Sequence, residues 1–395
     1  MNFPIRPPLR PKVCFLFIGH RYQILHGASV AAELARSGLV DVHVAGATAH
    51  HVEDARRLVE GLGAQGLTYH RLWRLQSRRS VAPKLAVLAL NLELFARFDA
   101  IVVPERTSLL LRWMGLRRPL FIHTDHGAGD RAVGYENRIR EFDLVLLAGE
   151  KQRRRMKAAG IIREGEYAVV GYPKFDLVDS LDGAPPTLFA EPRPVVLYNP
   201  HFHPALGSWR RFGLSVLEQF AASPDYNLIF APHMRLFDGA PRRMIETLSP
   251  YLDRPNIHID LGGERSRDMT YTRMADVYLG DVSSQVYEFL RTPRPCLFLS
   301  ARRTHWAEDE NYAHWRFGPV LERAAHLCAA VDTARRRHPD FIAAQTAAFA
   351  DTFDLRGRAS QRAAEAILAR LASRPAPAPH GYGAMNNALT LSATP

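Results

Sequence analysis

Residues 275–290 read ADVYLGDVSSQVYEFL. The apolar run at 277–279 predicts a strand. It ends in Gly280 and Asp281, and Ser283 and Ser284 then open a helix over 285–291. A strand that turns straight into a helix is the repeating unit of an α/β fold. A helix opening offers backbone N–H groups and the positive end of a helix dipole, which suit a pyrophosphate. Glu288 lies one turn beyond Ser284 on the same face, where its carboxylate can accept from ribose hydroxyls. The same residues also fit a plain helix cap, with Asp281 or Ser283 capping and Glu288 in solvent.

The alternation continues on both sides of this segment. In the second half, strands are expected at 195–199, 227–231, 257–259 and 296–299, with helices at 209–222, 240–248 and 268–274. A helical run is expected over 319–353 and a final helix over 358–372. In the first half, strands are expected at 13–18, 41–45, 100–103, 120–123, 144–147 and 167–170. Helices are expected between them at 28–36, 51–62, 83–97 and 151–159. The strand segments are almost wholly apolar, as parallel strands covered on both faces must be. Residues 181–194, LDGAPPTLFAEPRP, carry four prolines and no periodicity, which reads as a linker. The expected organisation is an α/β protein of two Rossmann-like, doubly wound domains facing a central cleft. The boundaries are an N-terminal acceptor domain at 1–185, a C-terminal nucleotide-donor domain at 186–372, and a tail without core-forming pattern at 373–395.

Composition excludes several classes. With 47% hydrophobic and 23% charged residues over 395 positions, the chain is neither fibrous nor mostly disordered. Three unpatterned cysteines do not make a disulfide scaffold; Cys14 and Cys296 sit inside apolar runs and read as small buried hydrophobes in a reducing compartment. The longest apolar stretch, 85–98, is broken by Asn91, Glu93 and Arg97, and spanning a membrane takes about 20 mostly apolar residues. The N-terminus is basic and then apolar, but its apolar core at 13–18 is shorter than a signal peptide needs. The expected location is cytoplasmic, with association at the inner face of the cell membrane as an open addition.

Net charge is +11, and only five of the 51 basic residues are Lys. A codon bias explains much of that Arg excess; an anionic substrate or an anionic membrane surface are the functional readings. Basic clusters at 71–79, 153–157 and 335–338 are short and not interleaved with stacking aromatics, so nucleic acid is not an expected partner. There is no GxxxxGK[ST] loop, and the turn after the first strand reads Gly19-His20-Arg21-Tyr22 instead of GxGxxG.

Ligands in open α/β sheets bind beyond the carboxyl ends of the strands, so chemistry is sought there. The strand at 120–123 runs into HTDHGAGDR, which offers His123, Asp125, His126, Gly127 and Gly129. A histidine here can take a proton from an attacking hydroxyl, with Asp125 or Asp130 orienting it. In the second half, LYNPHFHP supplies Asn199, His201 and His203, and LIFAPHMR supplies His233 and Arg235. Imidazole and guanidinium groups after adjacent strands can grip a phosphate. Each turn alone also fits an ordinary polar loop; their repetition at one topological place favours a site. The His123–His126 and His201–His203 pairs lack third and fourth ligands at zinc spacing, so no metal is expected.

Together these segments resemble the CDP-glycerol glycerophosphotransferase family, teichoic-acid-type enzymes with a GT-B fold. The resemblance rests on His126-Gly127, Gly171-Tyr172-Pro173-Lys174-Phe175-Asp176, Asn199-Pro200-His201, Pro232-His233, and Asp281-Val282-Ser283-Ser284 with Glu288. It spans roughly 118–370 and includes the closing segment at 357–363. Three positions depart: Asp125 stands where the family has an aromatic, Val282 where it has Tyr, and Met234 follows His233 where it has Pro. The resemblance implies that His126 acts as base, that His233 binds donor phosphate, and that the nucleotide sits in the C-terminal half. It implies phosphoryl transfer from a CDP-activated donor to a hydroxyl of a lipid-linked or surface glycan, without cofactor or metal. The expected catalytic residues are His126, Asp125 and His233. The expected binding residues are Gly127, Lys174, Asn199, His201, Arg235, Asp281, Ser283, Ser284 and Glu288. The alternatives are a nucleotide-sugar glycosyltransferase of the same fold, a UDP-sugar epimerase of related fold, and a non-catalytic nucleotide-binding protein.

Overall fold

The computed structural model describes residues 10–75, 84–125, 127–181, 183–302 and 304–374. The tail expected at 373–395 lies beyond the described residues from 375 onward. Seven strands build the first sheet: β1 (Lys12–Phe17), β2 (Asp41–Gly46), β3 (Thr68–Arg71), β4 (Ala100–Val103), β5 (Leu120–Thr124), β6 (Leu144–Leu147) and β7 (Tyr167–Val169). Their order is β3-β2-β1-β4-β5-β6-β7. Six build the second: β8 (Val195–Asn199), β9 (Asn227–Phe230), β10 (Ile257–Ile259), β11 (Val277–Gly280), β12 (Cys296–Leu299) and β13 (Val320–Leu321), in order β10-β9-β8-β11-β12-β13. The strand pairs are parallel, with registers such as Cys14↔His43 and Leu279↔Tyr198.

Period-two alternation explains why the strands are apolar throughout. In β1, Val13, Phe15 and Phe17 enter one core, while Cys14 and Leu16 enter another on the opposite face. In β8, Val196 and Tyr198 face one core and Leu197 the other. Helices therefore cover both faces of each sheet. Burial of Cys14 and Cys296 pushes both thiols far up, so they stay protonated hydrophobes.

Four features depart from the sequence reading. Strand β3 (TYHR) was not expected because its polar side chains lie at a half-exposed sheet edge. The run at 319–353 is not continuous helix: β13 opens it, helices Leu327–Arg336 and Ile342–Thr352 follow, and Pro339 sits at the break between them. Helix Pro173–Ser180 starts on a proline, which suits a first helical turn. The fourth difference is where the last helix packs. The last helix, Ala359–Ala372, crosses back to the first sheet, where Ala363, Ala364 and Ile367 share a core with Val13 and Phe15. Ser360 bonds Ser29 (2.8 Å) and takes its N–H to Asp176 (2.6 Å). This crossing leaves the carboxyl ends of both sheets facing one cleft.

Candidate active site between the lobes

A cleft of about 660 Å³ separates the two sheets. Its first wall comes from loops after β1, β4 and β5, and its second from loops after β8, β9 and β11. In both sheets the chain order reverses within this set, at β1/β4 and at β8/β11, which is the crevice where α/β folds bind ligands.

The second wall is built on Asp281, which is fully buried. Its carboxylate accepts from the His201 N–H (2.9 Å), the Ser208 N–H (2.6 Å), the Ser208 hydroxyl (2.8 Å) and the Val282 N–H (2.6 Å). Its carbonyl accepts from Trp315 Nε1 (2.7 Å) and pairs with His314 Nε2 (2.9 Å). Burial raises its pKa against those bonds. Asn199 donates to the Ala231 carbonyl (2.6 Å) and accepts from the Tyr278 hydroxyl (3.3 Å). Asp281 and Asn199, expected to touch the nucleotide, thus stand behind the cleft wall and tie its loops together. The physical reason is saturation: their polar atoms are spent on buried donors and acceptors.

His201, Phe202, His233 and Arg235 project from that scaffold. The His201 and His233 rings lie 5.5 Å apart, and Arg235 stacks 4.1 Å over Phe202. Burial, then the neighbouring cations, lower His233 to about 4 and His201 to about 3. Both imidazoles are therefore neutral near pH 7. His201 Nδ1 accepts from the His203 N–H (3.1 Å) and His233 Nδ1 from the Arg235 N–H (3.2 Å). The remaining ring proton of His233 then sits on Nε2. From the opposite lobe, Arg131 Nη1 reaches within 3.1 Å of His201 Nε2.

On the first wall, His20, Lys84, Glu105, Arg106 and Asp125 line the cleft. Burial lowers the His20 pKa, aided by Arg235 and Lys84. Lys84 pairs with Glu105. Asp125 accepts from Gln152 Nε2 (2.9 Å). His126 lies outside the described residues; its neighbours Asp125 and Gly127 both line the cleft. The loop after β5 passes close over the loop after β11. A Cβ on Gly129 would stand 2.9 Å from Ser284 Cβ, so the approach needs glycine. Ser283, Ser284 and Glu288 line the cleft, although helix Gln285–Phe289 is only five residues long.

Two buried carboxylates bridge the lobes. Glu288 accepts from Lys174 Nζ (2.7 Å) and the Tyr172 hydroxyl (3.0 Å) on the same oxygen. Asp130 pairs with Lys151 (2.9 Å) and His314 Nδ1 (2.9 Å) and accepts from the Tyr287 hydroxyl (2.7 Å). Burial alone would raise Asp130, but His314 and Lys151 outweigh it and hold the carboxyl far below its usual range. Arg131, Lys151, Tyr287 and His314 escaped the sequence reading. Arg131 adjoins the HTDHGAGD run and was open to notice; His314 follows no strand and gives no local signal. Among the described residues, no group of three or more His, Cys, Asp or Glu is placed to hold a metal.

No protein-family model and no curated protein matches the chain. Solved structures do. A UDP-N-acetylglucosamine 2-epimerase aligns over 93% of this chain and 97% of its own, with TM-score 0.62 and 13% identity. The wall teichoic acid polymerase TagF, soaked with CDPG, aligns over 92% and 90%, with TM-score 0.62 and 15% identity. The UDP-GlcNAc 2-epimerase from Neisseria meningitidis, bound to UDP-GlcNAc, aligns over 92% and 100%, with TM-score 0.56 and 14% identity. The chain has the GT-B fold.

Proposed function

We propose that this chain is a transferase that takes a CDP-activated donor and moves glycerophosphate, or a related group, to a hydroxyl of a lipid-linked or surface glycan. The observation that carries this reading is the convergence of His201, His233, Arg131 and Arg235 in one interlobe cleft. Neutral imidazoles in a largely buried, cationic pocket donate hydrogen bonds without ion pairs of their own, which suits a diphosphate. The fold's occurrence in a structure soaked with CDPG and in one bound to UDP-GlcNAc supports a nucleotide-activated donor.

In this reading the acceptor oxygen attacks the phosphorus bonded to glycerol, the bond from that phosphorus to CMP breaks, and CMP leaves. His126 takes the hydroxyl proton, oriented by Asp125, as the resemblance implies. Arg131, Arg235, His201 and the Nε2–H group of His233 meet the charge on the phosphates. Catalysis then comes mainly from positioning and electrostatics. Gly127, Ser283 and Ser284 shape the floor. Glu288 uses one carboxylate oxygen for Lys174 and Tyr172, and a ribose hydroxyl would bond the other. The place of action is the inner face of the membrane, where a lipid-linked acceptor lies.

The test is a melting-temperature and binding series with CDP-glycerol, CMP-sugars and UDP-sugars. CDP-glycerol is expected to stabilise the protein most, and CMP release is expected once a lipid-linked acceptor is added. His126→Ala is expected to abolish that release and leave binding nearly intact. Stabilisation by a nucleotide sugar and none by CDP-glycerol would replace this reading with a glycosyltransferase.

A further inference from the structure

His314 is buried between the lobes, on the short helical run Glu310–Phe317 that joins β12 to β13. Its ring reaches one partner in each lobe. Nε2 stands 2.9 Å from the Asp281 carbonyl, at the turn after β11. Nδ1 stands 2.9 Å from Asp130 Oδ2, on the loop after β5. A carbonyl oxygen only accepts, so Nε2 carries a proton. Asp130 is held ionised by its neighbours, and a carboxylate also only accepts, so Nδ1 carries a proton too. The form of the ring that fits both partners is the imidazolium. A neutral ring would turn a lone pair toward one of the two oxygens.

The surroundings agree with that charge. Asp130 also accepts from the His314 N–H (3.1 Å), Lys151 Nζ (2.9 Å) and the Tyr287 hydroxyl (2.7 Å). Lys151 Nζ sits 3.9 Å over the Tyr287 ring. Arg155 donates to the Asp130 carbonyl (2.7 Å) and pairs with Glu310 (3.3 Å), on the same run as His314. Trp315 Nε1 shares the Asp281 carbonyl (2.7 Å), and Phe298 lies edge-on to the ring at 5.6 Å. Among the described residues, the charged and titratable groups around His314 are thus Asp130, Lys151, Arg155, Asp281, Tyr287 and Glu310. Both partners of the ring adjoin the cleft. Asp130 precedes Arg131, which reaches His201 Nε2, and Asp281 holds the His201 N–H and precedes the turn that carries Ser283 and Ser284. Beside them Gly129 passes so near Ser284 that a Cβ would not fit.

We propose that His314, as an imidazolium, is a positioning residue that docks loop 127–131 of the first lobe on turn 281–284 of the second. It touches no reacting atom. It fixes the distance between Arg131, with the expected base at 126 just before its loop, and the phosphate-facing turn across the cleft. Loss of the ring proton leaves one of the two bonds unmade, so the docking is present at lower pH and released as pH rises through the titration of the ring. The charge and the docking stand on the bonds of the ring alone; the consequence for turnover rests on the proposed function.

The first test is nitrogen NMR of the full chain labelled at histidine, with His314→Gln assigning the signal. The parent chain is expected to show two N–H protons on His314 and the nitrogen shifts of an imidazolium near pH 7. Backbone amides of 127–131 and 281–284 are expected to move together with the ring as pH rises. A neutral ring near pH 7, or amides indifferent to its titration, overturns the proposal. The second test is CMP release from CDP-glycerol with a lipid-linked acceptor. kcat is expected to fall on the alkaline side at the midpoint of the ring. His314→Gln is expected to lower kcat by about tenfold or more, to change KM for CDP-glycerol far less, and to flatten the alkaline fall. Asp130→Asn is expected to do the same, and the two together to cost little more than either. A drop in melting temperature with kcat and its pH profile unchanged would reduce His314 to a structural residue and overturn the proposal. A parent chain that neither binds CDP-glycerol nor releases CMP counts against the proposed function instead, and the ring protons and the coupled amides still decide the docking.

Discussion

His201 and His233 are held neutral by burial and by cations around them, and this has a sign that can be measured. Their ordinary value is 6.5, lowered to about 3 and about 4 in the folded chain. As pH falls below 6.5, the unfolded chain takes up protons that the folded chain refuses. Their contribution to stability is thus full above 6.5 and drains away as pH falls through about 4. Melting temperature is expected to drop over that window, and His233→Gln to make the drop shallower; an unchanged slope would count against a buried neutral His233. A bound diphosphate reverses the bias and favours the imidazolium. Nucleotide binding at about pH 5.5 is therefore expected to take up protons, seen as a buffer-dependent heat in calorimetry. Asp281 makes a different prediction. Asp281→Ala strands four buried donors, each costing about 1–3 kcal/mol when left without an acceptor. A fall in unfolding free energy of at least about 3 kcal/mol is expected in a urea titration. The histidines were legible in the sequence because each follows an apolar run. The work of Asp281 was not, because three of its four donors come from residues 201 and 208, far away in the chain.

Among the elements, the strands were the most legible. Strands β4, β6, β8, β10 and β12 occupy the expected residues, since a strand buried on both faces has to be an apolar run with sharp ends. Edge strand β3 escaped because one polar edge removes that pattern. The C-terminal helix escaped in another way: its residues were expected to be helical, but not on the first lobe. An amphipathic face announces that it will be buried and not against what. Ile367 is fully buried in the first core, so Ile367→Ala is expected to cost about 2–5 kcal/mol. Limited proteolysis should then show cleavage rising first within residues 10–181; cleavage rising only within 195–350 would contradict the crossing. Gly149 guards the same crossing. A Cβ there would stand 2.3 Å from the Thr352 carbonyl, so the helices Glu150–Ala158 and Ile342–Thr352 meet only because this position is glycine.

Across the whole molecule, the two lobes are fastened by buried charge. Lys174 and Glu288 have side chains only 5% and 9% exposed, and they come from opposite lobes. Removing one partner leaves the other as an uncompensated buried charge, at a cost of about 3–5 kcal/mol. Lys174→Met is expected to destabilise by that order and to raise hydrogen exchange on both cleft walls. Lys174→Met with Glu288→Gln is expected to recover part of the loss; additive losses would mean that the pair does not couple the lobes. The Asp130, Lys151, His314 and Tyr287 cluster repeats the device nearby. Apolar periodicity and strand-end chemistry are local properties, readable over a dozen residues. They were enough to give two doubly wound halves, the break between them, and loops rich in histidine and arginine at the strand ends. Interlobe pairing is not local. Which carboxylate closes on which lysine, which polar side chain is consumed behind the wall, and which lobe claims the last helix depend on segments brought together from distant parts of the chain. Burial then turns each such meeting into a large energy of either sign, and that required the folded chain.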